Sequence, residues 1–240
     1  MKKENYCFLL IFGLFFLSCS QNNNQPQQNE IITLDANKNE IKIDTSLVTI
    51  ADLPIKIDSI SYLIHPIGIY KFKRYDDGFL YKSSKSSVDD FKLTNNYEDV
   101  INGNINNLLF QGDKESKFIS LTNDKIKIKS VTFLRDLFDV TKRKVFVYEV
   151  VDTDTNKDKK LDLQDLFSIY FSNVDGSNFK KMSKPNQRII NTKFIKSNSK
   201  FYFKTVEKND DEDKNEVFHY FFIDMSSKNF EVKEYFPVKE

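Results

Sequence analysis

Tryptophan is absent from this chain of 240 residues, and only two cysteines, two histidines, five prolines and six glycines are present. Both cysteines lie near the start, Cys7 inside an apolar run and Cys19 at its end. The body beyond Cys19 has no cysteine, so no disulfide braces it and the fold must rest on its core. The histidines, His65 and His219, form no zinc-protease helix motif, and there is no nucleophile elbow or phosphate-binding glycine loop. Each fits a structural role at a strand end or within a strand. Charge of one sign is also missing: 36 Lys and Arg meet 35 Asp and Glu, for a net charge of +1. That balance gives no electrostatic footprint for nucleic acid or for an anionic membrane surface.

Aromatic residues are plentiful. The chain carries 23 Phe and 11 Tyr, and such side chains bury large areas, so a substantial core is within reach despite many Lys and Asn. Hydrophobic residues make up 40% and charged residues 30%, an ordinary globular mixture. The length suits one large domain or two small ones.

The first residues read as an export signal. Met1-Lys2-Lys3 is a short positive start, and Cys7 to Leu17 is a strongly apolar stretch of 11 residues. A bilayer span needs about 20 such residues; a signal core needs fewer. The run closes on Phe16-Leu17-Ser18-Cys19, which resembles the lipobox of bacterial lipoproteins, with Phe16 where Leu is usual. The resemblance implies cleavage after Ser18, diacylation of Cys19, and acyl chains of the palmitate class that hold the protein in the outer membrane, periplasmic or surface-facing. Two or more chains anchor stably where one does not. Residues 20–30, Ser-Gln-Asn-Asn-Asn-Gln-Pro-Gln-Gln-Asn-Glu, contain nothing apolar enough to offset the cost of ordering and read as a tether.

From residue 31 to residue 240 the pattern is that of one β-rich domain: short apolar runs separated by turn signals. Expected strands are Leu47–Ile50, Ile67–Phe72, Phe79–Lys82, Leu108–Gln111, Lys117–Leu121, Ile126–Leu134 and Lys144–Val151. Six more follow: Ser168–Ser172, Asn178–Met182, Ile189–Ile195, Phe201–Val206, Val217–Asp224 and Phe230–Tyr235. Val145-Phe146-Val147-Tyr148 is apolar on both faces, as in a strand buried between layers. The one stretch with a hint of helical period is Leu161 to Phe167.

A weak repeat runs through this pattern. Asn107 to Thr122, Ser168 to Ser183 and His219 to Glu234 each carry Phe at position 4 (Phe110, Phe171, Phe222) and again at position 12 (Phe118, Phe179, Phe230). A polar turn lies between, so each copy reads as one hairpin. Gly68 to Leu80 is a degenerate fourth. The middle copy, with Asp175-Gly176-Ser177-Asn178 at its turn and Lys180-Lys181-Met182-Ser183 at its close, resembles the repeat of TolB-like, WD40-type β-propellers. The resemblance covers about 15 residues and implies an all-β, propeller-like fold of antiparallel hairpin repeats, partial or small; a β-sandwich is the alternative. A blade takes about 40–45 residues, so three or four units with insertions fit.

One segment has metal-ligand spacing. Between two expected strands lies an insertion from Asp152 to Asp165. Counting from Asp154 puts oxygen donors at positions 1, 3 and 5 (Asp154, Asn156, Asp158), the Lys160 carbonyl at 7, Asp162 at 9 and Asp165 at 12. Calcium takes six to eight oxygens, and alternate residues of a curled loop point inward. The loop resembles those of dockerins and of EF-hand-like insertions in secreted proteins, which implies a structural calcium ion of the weak extracellular class, ~10⁻⁴–10⁻³ M. Position 6 is Lys159, where such loops have Gly, and position 12 is Asp where they have Glu. A solvated hairpin loop built of Asx-turns is the alternative. The acidic run Lys208 to Glu216 lacks the alternation and reads as an exposed hairpin tip.

These features point to a lipid-anchored envelope protein, a non-enzymatic module that binds an envelope protein or a glycan, or that serves a structural role. A hydrolase of an extracellular polymer is the alternative; it requires two carboxyl groups facing one cleft.

Overall fold

The computed structural model describes residues 32–34, 41–43, 47–71, 91, 93–97, 99–207 and 216–238. The leader, Cys19, the tether, the expected strand at 79–82, the acidic run up to residue 215 and the fourth hairpin copy beyond Lys71 lie outside them.

β-Branched and aromatic residues favour the pleated surface of a sheet, and the chain follows that preference. The strands are β1 (Ile32–Leu34), β2 (Ile41–Ile43), β3 (Leu47–Ala51), β4 (Ile55–Lys56), β5 (Tyr62–Lys71), β6 (Leu93–Tyr97), β7 (Val100–Ile105), β8 (Asn107–Gly112) and β9 (Phe118–Ser120). They continue as β10 (Lys127–Phe133), β11 (Val145–Val151), β12 (Ser168–Asn173), β13 (Lys180–Lys181), β14 (Gln187–Ile195), β15 (Lys200–Glu207), β16 (Phe218–Asp224) and β17 (Val232–Glu234). β1 and β2 pair with each other. An N-terminal sheet has the order β3-β5-β8-β9, with β4 also on β5; a central sheet runs β13-β12-β11-β10-β7-β6; a C-terminal sheet runs β14-β15-β16-β17. The pairings are antiparallel. The protein is all-β, as its sequence pattern implies.

The central sheet is covered on both faces. Alternate side chains of a strand point to opposite sides, and β11 divides accordingly. Phe146, Tyr148 and Val150 enter a core shared with Ile64, Leu108 and Phe110 of the N-terminal sheet. Val145 and Val147 enter a second core with Phe201, Phe203, Phe221 and Ile223 of the C-terminal sheet. The three sheets therefore stack, and β11 has both faces dry.

The three hairpin copies map one to each sheet. They are β8–β9, β12–β13 and β16–β17, each the last two strands at one edge of its sheet. Their phenylalanines take opposite faces. Phe110 lies in the core towards the central sheet and Phe171 in the core towards the C-terminal sheet. Phe179 turns back to the first core, where it stacks on Tyr170 at 4.6 Å. Phe230 turns back to the second and meets Phe171 edge to face at 5.4 Å.

Three expectations are corrected. Leu161 to Phe167 forms turns; the helix is Arg135–Thr141, α1. It is seven residues long, too short for a helical period to stand out, and forms because Leu137 is buried in the second core and Phe138 packs against the first. β5 begins at Tyr62 and runs through Pro66, whose carbonyl still accepts the Asp52 amide at 2.9 Å. β7, Val-Ile-Asn-Gly-Asn-Ile, lies where no strand is among those expected, and Ile101 and Ile105 are fully buried.

Candidate functional site

The insertion sits between β11 and β12, where the sequence places it. Its backbone curls around its own side chains. The Asp154 carboxylate accepts the amides of Lys157 (2.7 Å) and Lys159 (2.9 Å). Asn156 Oδ1 accepts the Asp158 amide at 2.9 Å, and Asp158 Oδ1 accepts the Lys160 amide at 2.8 Å. This is a ladder of Asx-turns at alternate residues, the pattern by which short polar side chains compete for backbone donors. Lys157 and Lys159 take left-handed backbone angles, φ 64° and 66°. Those angles let the chain turn sharply, and each is costly for a residue with a Cβ.

Asp165 is the hub of the insertion. It is buried at 3% exposure. Its Oδ1 accepts the Thr155 amide (2.7 Å), the Thr155 hydroxyl (3.1 Å) and the Asn156 amide (3.1 Å), while Oδ2 accepts the Asp162 amide (3.2 Å). Burial would raise the carboxyl's pKa, but the bonds from Thr155, Asp162 and Asn156 outweigh it and hold the group below the usual carboxylate range. Asp162 is likewise buried, and its Oδ1 accepts the Gln164 amide at 2.8 Å. Asn156, Asp158 and Lys160 are exposed.

The six loop positions named from the sequence are thus gathered into one insertion, with the side-chain oxygens of Asp154, Asn156, Asp158, Asp162 and Asp165 accepting loop amides. Among the described residues, no three acidic, His or Cys side chains stand together as a metal cage. Calcium takes its ligands from oxygens that keep spare lone pairs, and the exposed carboxylates of this loop do.

Spacing does not single out Asp152, yet it ties the insertion to the central sheet. Its Oδ2 accepts Lys181 Nζ at 2.6 Å and the Tyr170 hydroxyl at 2.7 Å. Burial works against the charged form, and these two bonds more than offset it, so the Asp152 pKa lies below its ordinary value. The same arrangement raises the Tyr170 pKa, through burial first and the neighbouring carboxylate second.

Three further places carry polar groups among the described residues. A cleft of about 170 Å³ opens between the central and C-terminal sheets, walled by Val147, Ile169, Phe194 and Phe201 and rimmed by Thr132, Thr192 and Glu149. Among the described residues Glu149 is the sole carboxylate on it, and it pairs with Lys129 at 3.1 Å. The His219 ring bonds Glu234 through Nδ1 at 2.7 Å, and Glu234 also takes Lys184 at 2.9 Å. His65 bonds Gln111 at 3.0 Å. Both histidines are held by neighbours in their own sheet.

The chain matches no protein-family model, no curated protein and no solved structure.

Proposed function

We propose that this protein is a lipid-anchored module of the bacterial outer-membrane envelope, a binding or structural unit whose 152–165 insertion is stiffened by calcium. The observation that carries the calcium reading is the pairing of Asp154 with Lys159. One carboxylate holds the amides at its third and fifth neighbours, and the residue at position 6 adopts φ 66°, the conformation that Gly supplies in loops of this kind. Asp154, Asn156, Asp158, the Lys160 carbonyl, Asp162 and Asp165 are the proposed ligands. The ion would supply rigidity, because the loop joins β11 and β12, whose apolar residues are buried in the two cores.

The anchor rests on Ser18-Cys19 at the close of the apolar leader. The propeller-like architecture draws support from the hairpin copies, one per sheet, and from the four-stranded meanders β10 to β13 and β14 to β17. Its partner would be an envelope protein or a glycan.

Two measurements test this. Radioactive palmitate should label the wild type and not Cys19→Ser; equal label and equal membrane partitioning would remove the anchor. Calorimetry with calcium should give heat with the wild type and little with Asp154→Ala; identical heats would dispose of the ion.

A further inference from the structure

The cleft between the central and C-terminal sheets carries polar groups that the protein leaves unused. Ser130 pairs with Glu149 and Thr132 with Val147 across β10 and β11, so these four side chains share one side of the central sheet. All four line the cleft, and Thr192 of β14 joins them from the C-terminal sheet. The hydroxyls of Ser130, Thr132 and Thr192 make no hydrogen bond among the described residues. Hydroxyls elsewhere between these sheets are taken: Thr205 donates to Gln187 Oε1 at 2.7 Å, and Ser183 Oγ accepts the Ile169 amide at 3.0 Å. Each free hydroxyl can donate one bond and accept two. Glu149 meets Lys129 through Oε2 at 3.1 Å, which leaves Oε1 with lone pairs to offer.

Behind these polar groups the cleft is apolar. Phe194 and Phe201 are cross-strand partners in β14 and β15 and form one wall; Phe201 is buried and Phe194 half-buried. Val147 and Ile169 form the other. The cleft measures about 170 Å³, the liquid volume of about six waters at ~30 Å³ each. That is room for one small ring and not for a drug-sized molecule. Its charges balance locally, because Glu149 is paired with Lys129; the Lys193 side chain stands at the outer rim. An occupant must therefore be small and neutral, with hydroxyls along one edge and a C–H face for the rings. Aromatic faces carry negative charge density and attract such hydrogens.

We propose that this cleft binds one neutral hexopyranose unit, N-acetylated or not, of a glycan. The ring lies with its C–H face on Phe194, and its hydroxyls bond Ser130, Thr132, Thr192 and Glu149 Oε1. The unit is held and not cleaved, since hydrolysis takes two carboxyl groups and Glu149 is the sole carboxylate on the cleft among the described residues. This assignment rests on the glycan side of the proposed function, and it stands apart from the lipid anchor and from calcium.

The test is a methyl NMR titration of the full processed chain in detergent with glucose, galactose, mannose and N-acetylglucosamine, and with cyclohexanol as a ring of like size bearing one hydroxyl. At least one sugar should shift the methyls of Val147, Ile169, Thr132 and Thr192 saturably and more tightly than cyclohexanol does. Glu149→Gln should weaken that sugar about tenfold or more, and Thr192→Val about two- to tenfold, with cyclohexanol binding and the remaining methyl spectrum unchanged as the control for folding. Cyclohexanol binding as tightly as every sugar would show a merely apolar cleft and overturn the proposal. Sugar shifts confined to methyls outside the cleft would also overturn it while leaving the glycan reading in place. Silence from all four sugars would remove both.

Discussion

Phe171 in β12 and Phe230 ahead of β17 meet edge to face at 5.4 Å, joining a position-4 and a position-12 ring of two repeat copies across a sheet boundary. Phe201 closes on the same ring at 5.2 Å. Phe171 is fully buried, so Phe171→Ala should leave a cavity and cost about 3–5 kcal/mol. Urea unfolding at pH 7 checks this. A loss comparable to that of an exposed substitution would mean the boundary contributes little to stability.

Gly176 turns the middle hairpin at φ 82°, and a Cβ placed there would come within 2.6 Å of the Phe110 ring. Strain and overlap act together at that position. Gly176→Ala should therefore destabilise by about 1–3 kcal/mol, measured by thermal or urea melts. Phe110→Leu in the same background should recover part of the loss, because it removes the ring that the methyl meets.

Lys159 holds a left-handed conformation inside the insertion. Glycine takes that conformation without the Cβ penalty, although it adds freedom to the unfolded chain. Lys159→Gly should leave folding stability equal or better by up to about 1 kcal/mol. It should also tighten calcium binding in a calorimetric titration. Weaker binding in this variant would show that the loop's sharp turn has no part in ligation.

Asp152 and Asp165 both have carboxyl groups held below the usual range in the folded state. The unfolded chain then binds more protons than the folded one as pH falls past the ordinary value, about 3.9 for Asp. Their contribution is complete above that value and drains away as pH falls through the lower folded-state values. Stability should thus drop steeply in acid, with Asp165→Asn already weaker at pH 7 and flatter below pH ~4. Urea midpoints measured from neutral to acid pH decide the matter. Parallel profiles for the two proteins would count against it.

The strand pattern is readable because its cause is local. Alternating apolar residues around β8, β10 and β15, and short continuous apolar runs at β11 and β16, are visible locally, and their expected edges fall within a residue or two of the structure. The insertion is readable for the same reason, since its Asx spacing is a short-range feature. What escapes is set by packing. Asp152 becomes an anchor only because β13 brings Lys181 beside it. α1 forms where two cores need Leu137 and Phe138, and β7 is hidden by Asn and Gly until the central sheet buries its isoleucines.

By itself the sequence determined an all-β body without disulfides, an apolar run closing on Cys19, and three copies of a Phe-marked hairpin. It could do so because composition, run length and short periods are properties of neighbouring residues. Only the tertiary structure decided that the copies fall one to a sheet, that their two phenylalanines face opposite ways, and that Phe171 and Phe230 meet across a sheet boundary. Those facts depend on which strand pairs with which and on which sheet covers which, and such long-range choices are made by the packing of whole faces.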